Sequence, residues 1–579
     1  MVVLPLGEIV LRQFGSGLPG SGSLTQHLTL WVCFLGAALA AADGKLLALS
    51  TGQFLPEGRI RNVARIFSSA TAAAVAALLC AAGIELVQVE KMAGTMVTGW
   101  LPAWIAQLVM PLSFALIALR LVWLAGERWS ARLWTAPGII AGLLVARFHP
   151  ALESLPTWPG LLLLLAATVL GGPIFAMLGG AAALLFAKDA VPPAAVLVET
   201  YRLTVSPTLP AIPLFTLVGF LLAEGHASRR LLRVFRAFFG WVPGGTALVC
   251  ALVCAFFTVF TGGSGVTILA LGGLLFQALR EDGYRERFSL GLLTASGSLG
   301  LLLPPALPLI LYGIVAKIPI DQLFIGGILP GLLLVGLVGG WGVREGLVGG
   351  TVRTRWNLRE ALAALWGGKY ELLLPVIALG AIFSGFATPV EAAAVVAFYT
   401  LVVQIFVHRD ISIRRDLLRV FRQCLVLVGG VLLILGVALG FTSYMVDAQI
   451  PSQALSWVQS HIESPLLFLL CLNIFLLIVG CVMDIFSATV VIVPLIVPMG
   501  AAFGIDPVHL GIIFLANLEL GYLTPPVGLN LFLASYRFER PLFEIYRAAL
   551  PMLLILAIGV LLITYFPPLT TWLPRLFGS

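Results

Sequence analysis

The stretch AFFGWVPGGTALVCALVCAFFTVFTGGSGVTILALGGLLFQAL, residues 237–279, runs for 43 residues without a charged side chain. As one helix it would rise about 65 Å, twice the ~30 Å hydrocarbon core of a bilayer. Breakers at WVPGG (241–245) and TGGSG (261–265) cut it into legs of roughly 15 residues, about 22 Å each and too short to cross. The stretch therefore reads as a re-entrant helical hairpin with a glycine-rich tip inside the membrane. A second uncharged run, residues 464–505, has Asp484 as its only charge and DIFS (484–487) near its middle, and it reads as a second hairpin.

Working outward, a repeat joins the two. LGLLLPPALPLILYG (299–313) and LGYLTPPVGLNLFLA (520–534) align at an offset of 221 residues, pairing Gly300 with Gly521, Pro304 with Pro525 and Pro305 with Pro526. The same offset pairs Gly283 with Gly504. Basic residues flank the first hairpin and are absent from 423 to 536, so the two hairpins should enter from opposite faces. The pattern is an inverted repeat, with copies at about 209–316 and 424–536. RRLLRVFR (229–236) and RRDLLRVFR (414–422) read instead as two basic interfacial helices outside the inverted unit.

Composition agrees. Of 579 residues 60% are hydrophobic and 11% charged, and the mean hydropathy is +1.05. Soluble domains are about 25% charged, so a soluble enzyme, a disordered chain and a disulfide scaffold are excluded. An all-α polytopic membrane protein, embedded in a lipid bilayer, is what remains. The excess of 34 Lys+Arg over 27 Asp+Glu fits cytoplasmic loops, and no basic cluster is interleaved with aromatics as a nucleic-acid groove would be. The seven cysteines lie in apolar runs and the six histidines are scattered, so neither a disulfide frame nor a catalytic metal is expected. The opening MVVLPLGEIVLRQF lacks the basic n-region and cleavage site of a signal peptide. Apolar spans and Lys/Arg placement divide the chain into a four-helix unit at 1–133, a linker with a connecting crossing at 134–158, and a large unit at 159–579.

Helices broken inside a bilayer expose backbone polar groups, which is costly unless they line a cavity or bind something. In inverted-repeat transporters such breaks hold ions and substrate near the midplane. Hydroxyls of Thr261, Ser264, Ser298, Ser487 and Thr524, with carbonyls freed before Pro304 and Pro525, suit a hard monovalent cation such as sodium. Asp484 and Glu519 are intramembrane carboxylates and are candidate sites, with capping of helix ends as their plainer role. Glu391 in GFATPVEAA reads as a helix cap. No Lys or Arg occurs at 237–279, 288–316 or 423–536, so an anionic substrate would be met by bound cations and helix N-termini.

The strings IPLFTLVG (212–219), VPGG (242–245), LLPPALPLILYG (302–313), ATPVEAAAV (387–395), GIDPVHLGIIFLANLELGYLTPPVGLNLF (504–532) and ITYFPPL (563–569) closely resemble the large membrane subunit of tripartite ATP-independent periplasmic (TRAP) transporters. EIVLRQF, LWVCFLGAALA and FLPEGRIR, within residues 8–61, resemble the family's four-helix small subunit. The resemblance implies a fused small-plus-large permease of the bacterial inner membrane, not an enzyme. It further implies sodium-driven uptake of an organic anion such as a C4-dicarboxylate or sugar acid, delivered by a separate periplasmic binding protein. An elevator mechanism is implied too, with sodium ions as coupling ions and no other cofactor. The family's first sodium site matches Thr261, Ser264, Gly300, Leu303 and Pro304; its second matches Gly480, Thr524 and Gly528, with Ser487 nearby. Candidates for the substrate pocket are Gly263, Ser298, Asp484, Glu519, Pro525, Pro526 and Asn530. This chain departs from the family pattern at Thr261 and Gly263, where serines are usual, at Ile485 and Phe486, where threonines are frequent, and at Val390. A stand-alone sodium/carboxylate symporter or antiporter stays open as an alternative, and a passive channel is the third reading.

Overall fold

A computed structural model describes the chain except residues 49–57, 127–128, 150–152, 154–155, 352–355, 526–527 and 578–579. Pro526, residues 54–57 of FLPEGRIR and part of the 134–158 linker thus lie outside the described residues. The described chain is built of helices, apart from one two-stranded ribbon (Met96–Thr98 with Leu101–Pro102). Eleven of them are long and apolar enough to cross a membrane. The protein is a polytopic α-helical membrane protein. Two compact units divide it: residues 1–213, 421–454 and 490–494 form the first, and 214–420, 455–489 and 495–579 the second.

In the first unit the helices are α1 (Val3–Gln13), α2 (Ser21–Ala42), α3 (Arg59–Ala93), α4 (Ala103–Gln107), α5 (Val109–Leu124), α6 (Trp129–Thr135), α7 (Pro137–Arg147), α8 (Trp158–Val169), α9 (Ile174–Lys188) and α10 (Ala194–Thr204). At 35 residues α3 rises about 52 Å, well beyond a hydrocarbon core, and α5 and α7 pack along it. α7 falls where a connecting crossing is expected. Its Gly138 and Gly142, one helical turn apart, sit so close to the Ala70 and Ala74 carbonyls of α3 that a Cβ would come within 2.3 and 2.0 Å of them. Small residues at that spacing let two apolar helices approach backbone to backbone. α10 has no counterpart among the sequence-predicted spans; eleven residues with Glu199 and Arg202 give no membrane signal.

α11 (Ala211–Glu224) leads into the second unit and α12 (Ala227–Phe239) turns from it by 79°. α12 buries Ala227, Leu231 and Val234 and exposes Arg229 and Arg233, the pattern of an interfacial helix. It is held by Arg230, which pairs with Glu371 at 2.6 Å and Asp410 at 2.8 Å. Burial pushes the Asp410 carboxyl up, but hydrogen bonds from Arg230 and the His226 backbone outweigh it and hold the group below its ordinary value. Arg236 pairs with Asp282 at 2.6 Å. The other basic segment, 414–422, departs from expectation. It is no separate interfacial helix, because from Leu417 it forms the first turns of a continuous 31-residue helix reaching Asp447.

The repeat governs the rest of the second unit. Its first copy is α13 (Gly245–Thr261), α14 (Ser264–Glu281), α15 (Glu286–Ser296), α16 (Leu307–Ala316) and α17 (Ile320–Gly349). α18 (Leu358–Phe383) and α19 (Pro389–Val402) follow it, then α20 (Leu417–Asp447), which from Phe421 belongs to the first unit, and α21 (Ile450–His461). The second copy is α22 (Pro465–Val482), α23 (Ile485–Ala502), α24 (Pro507–Gly521), α25 (Leu529–Phe538) and α26 (Leu542–Tyr565), before the terminal α27 (Pro568–Phe577). Shifting α14 by the 221-residue offset gives the bounds of α23, and the starts of α15 and α24 correspond likewise. Gly283 and Gly504, paired by the same offset, both take positive φ, 91° and 70°. α13 and α14 pack on each other as a hairpin should, and α22 packs along α24. At 18 residues each, α22 and α23 are about 27 Å long and pass as spans by length and composition. The two copies interlock: α25 packs on α14 and α15, and α16 on α24. Ile268, Leu290, Leu531, Ala534, Ile545 and Ala548 form a shared buried core.

Candidate functional site

The first break opens at Thr261. Gly262 takes the left-handed conformation (φ 64°) and donates to the Thr258 carbonyl at 2.9 Å, which ends α13. Gly263 is extended, and α14 starts at Ser264 with no side-chain cap. Thr258 ties the region together: its hydroxyl lies 2.8 Å from the Thr267 hydroxyl of α14 and donates to the Gly297 carbonyl beyond α15 at 2.8 Å. Thr261 Oγ1 lies 3.3 Å from the same Thr267 hydroxyl and donates to the Gly263 carbonyl at 3.4 Å. Ser264 is 2% exposed and its hydroxyl has no partner. Gly300 rests on α13 so closely that a Cβ would lie 2.2 Å from the Ala255 carbonyl. Leu303 and Pro304 follow in the same irregular segment. The Leu303 carbonyl, expected to be freed before Pro304, accepts the Ala306 N–H at 3.0 Å.

At the second break the chemistry differs. Asp484 is the N-cap of α23: one carboxylate oxygen accepts the Phe486 and Ser487 N–H groups at 3.0 Å each, and the other accepts the Ser487 hydroxyl at 2.6 Å. The remaining first-turn donor, Ile485 N–H, donates to the Tyr522 hydroxyl at 2.7 Å. Gly480 and Gly521 meet backbone to backbone, a Cβ on Gly521 falling 2.6 Å from Gly480. Gly528 (φ 52°) donates its N–H to the Cys481 carbonyl at 3.1 Å. Thr524 donates its hydroxyl to the Leu520 carbonyl at 3.1 Å, which leaves its lone pairs free. Pro525 is exposed. Gly480, Thr524 and Gly528 thus share one locality, in which Asp484 and Ser487 serve the helix end.

Between the breaks lies a third group. Asn530 Nδ2 donates to the Thr294 carbonyl at 3.2 Å and to the Ser298 hydroxyl at 3.3 Å, joining the second repeat copy to the first. Glu519 of α24 is 1% exposed, with the Ser298 hydroxyl alongside and no partner for either carboxyl oxygen. Ser296 Oγ and Asn530 Oδ1 are likewise buried and unpartnered. Elsewhere, Glu391 forms a capping box with Thr388, as its place in the sequence suggests.

Sequence reasoning missed Thr258, Thr267 and Tyr522. Thr258 and Thr267 lie inside apolar helical runs, where a hydroxyl ordinarily bonds its own helix. Tyr522, beside Thr524, carried the only usable signal: an aromatic with a polar handle next to a break. A buried polar set between α22, α24 and α26 was missed too. Asn517 Nδ2 donates to Asn473 Oδ1 at 2.6 Å, and Thr564 donates to the same oxygen at 3.2 Å.

A family model described as "Tripartite ATP-independent periplasmic transporter, DctM component" matches residues 160–569, and one for the DctQ component matches residues 1–130. The isethionate TRAP transporter permease protein DctMQ of Oleidesulfovibrio alaskensis is 32% identical over 577 residues, covering 96% of this chain and 89% of that protein. The C4-dicarboxylate TRAP transporter large permease protein DctM of Pseudomonas aeruginosa is 38% identical over 69% of this chain and 93% of its own length. A solved structure, the YdaH transporter of Alcanivorax borkumensis, aligns with a TM-score of 0.45 at 16% identity, over 65% of this chain and 88% of that one.

Proposed function

The chain belongs to the tripartite ATP-independent periplasmic transporters, as a fused small and large permease of the bacterial inner membrane, and on that premise we propose that it couples sodium entry to the uptake of a small organic acid. It is a secondary transporter of the kind that depends on a periplasmic binding protein, not an enzyme by family. The observation that carries the coupling is the pair of repeat-related helix breaks, each lined by hydroxyl and carbonyl oxygen and neither containing Lys or Arg. Thr261, Ser264, Gly300, Leu303 and Pro304 form the first sodium site. Gly480, Thr524 and Gly528 form the second, with Ser487 nearby, whose proton goes to Asp484 while its oxygen lone pairs stay available. The anion is met at the uncapped start of α14, by Gly263 and Ser264, where a helix N-terminus favours negative charge. Movement of the two breaks together across the membrane, elevator fashion, provides alternating access.

The test is uptake into proteoliposomes of a labelled organic-acid panel that includes isethionate and C4-dicarboxylates. It is run with and without an inward sodium gradient and the candidate binding protein. Uptake needing both is the expected result. Uptake with sodium alone would point to a stand-alone symporter, and flux indifferent to sodium would make the proposed ion sites wrong. Thr524→Ala and Ser264→Ala should each weaken sodium activation in folded protein.

A further inference from the structure

Resting on the reading above, we infer that Glu519, bordered by the Ser298 hydroxyl and the Asn530 side chain, holds a sodium ion of its own, apart from the ions at the two breaks.

Ser298 and Glu519 are separated by the repeat offset of 221, so they occupy equivalent places in the two copies, and they lie side by side. The pseudo-two-fold relating the copies therefore passes close to this pair. One copy brings a hydroxyl there and the other a carboxylate. Glu519 is 1% exposed, both its oxygens lack a partner, and no ion pair reaches it among the described residues. A bare carboxylate in such a place is an uncompensated buried charge, which costs far more than a surface one. A nearby Lys or Arg could offset it, but none occurs at 288–316 or 423–536. An anionic substrate would add repulsion, so Glu519 is no substrate ligand. Asn530 Oδ1, on a side chain bonded to Ser298, is buried and unpartnered as well, and it, the Ser298 hydroxyl and the carboxylate are hard oxygen donors that suit sodium. Asn530 Nδ2, bonded to Thr294 and Ser298, leaves its amide oxygen uncommitted.

The test needs no substrate. Thermal unfolding of the full chain in detergent is followed while sodium chloride replaces choline chloride at constant ionic strength, at pH 6 and pH 8. Sodium should stabilise the wild-type protein, and the slope of that stabilisation against log sodium concentration counts the ions bound. Glu519→Gln should raise the melting temperature in choline, by removing the uncompensated charge, and should lose one sodium from the slope. Ser298→Ala should shift the response to higher sodium, and it carries the test should Glu519→Gln not yield folded protein. A Glu519→Gln slope equal to wild type would overturn this inference and leave the two break sites standing. Loss of a pH dependence with the sodium slope unchanged would mean that Glu519 carries a proton instead, which also overturns it. A wild-type protein indifferent to sodium would overturn both this site and the coupling proposed above.

Discussion

The two helix breaks occupy equivalent positions and are finished in opposite ways. The residue before α14 is Gly263; the residue at the same offset before α23 is Asp484. In the second break a carboxylate and the Tyr522 hydroxyl take up the first-turn N–H groups, so that helix end is electrostatically closed. In the first, no side chain caps the helix and the Ser264 hydroxyl has no partner. The two copies share one backbone design, but the N-terminus of α23 is capped by side chains and that of α14 is not. An anion can approach the partial positive charge at α14, whereas at α23 it would meet Asp484.

The comparison can be broken at several strengths. Gly300→Val and Gly521→Val should be the most damaging changes, because each Cβ meets main-chain atoms, at 2.2 and 2.6 Å, that have nowhere to move. A cost of about 1–3 kcal/mol or more from overpacking is expected, read as lost folded yield and melting temperature. Equal damage at the two glycines would strengthen the equivalence of the breaks. Tyr522→Phe removes the acceptor of the Ile485 N–H and should cost about 1–3 kcal/mol in thermal unfolding, with no counterpart change available in the first break. Asp484→Ala should cost about 1 kcal/mol as an ordinary lost cap. Gly263→Asp, which copies the second break into the first, should change stability by only about a few tenths of a kcal/mol. The backbone there is extended and the nearest atom to a new Cβ is 4.0 Å away. Anion uptake should nonetheless collapse; a Gly263→Asp protein that transports normally would show that the open helix end is not where the anion binds.

The repeat was legible because Pro-Pro and glycine leave their mark in sequence, and because the offset of 221 holds across whole elements rather than a single motif. The breaks were legible for the same reason: 43 uncharged residues do not fit a bilayer. What the sequence could not show was which hydroxyls are spent. Ser487 and Ser264 look alike as residue types, yet one donates to a carboxylate three residues away and the other has no partner. That difference depends on the Asp484 rotamer and on Tyr522 reaching across from a neighbouring helix. The packing of α22 on α24 was hidden as well, since an apolar run is compatible with several neighbours. So was the continuity of α20 through RRDLLRVFR, where charges at a helix start look the same as charges on a surface helix.

The interlocking of the copies has a consequence for the making of the protein. Thr294 and Ser298 receive their Asn530 hydrogen bonds from a residue more than 230 positions later in the chain. At about 5–20 residues per second of synthesis, the first copy waits roughly 10–45 s for its partner. During that interval Thr294 and Ser298 lack the Asn530 side chain, and the faces of α14 and α15 that α25 covers have only lipid, water or the insertion machinery to face. A nascent chain paused between the two copies should therefore be the form most exposed to quality-control proteolysis, and the time spent there is set by translation speed rather than by the stability of the finished fold.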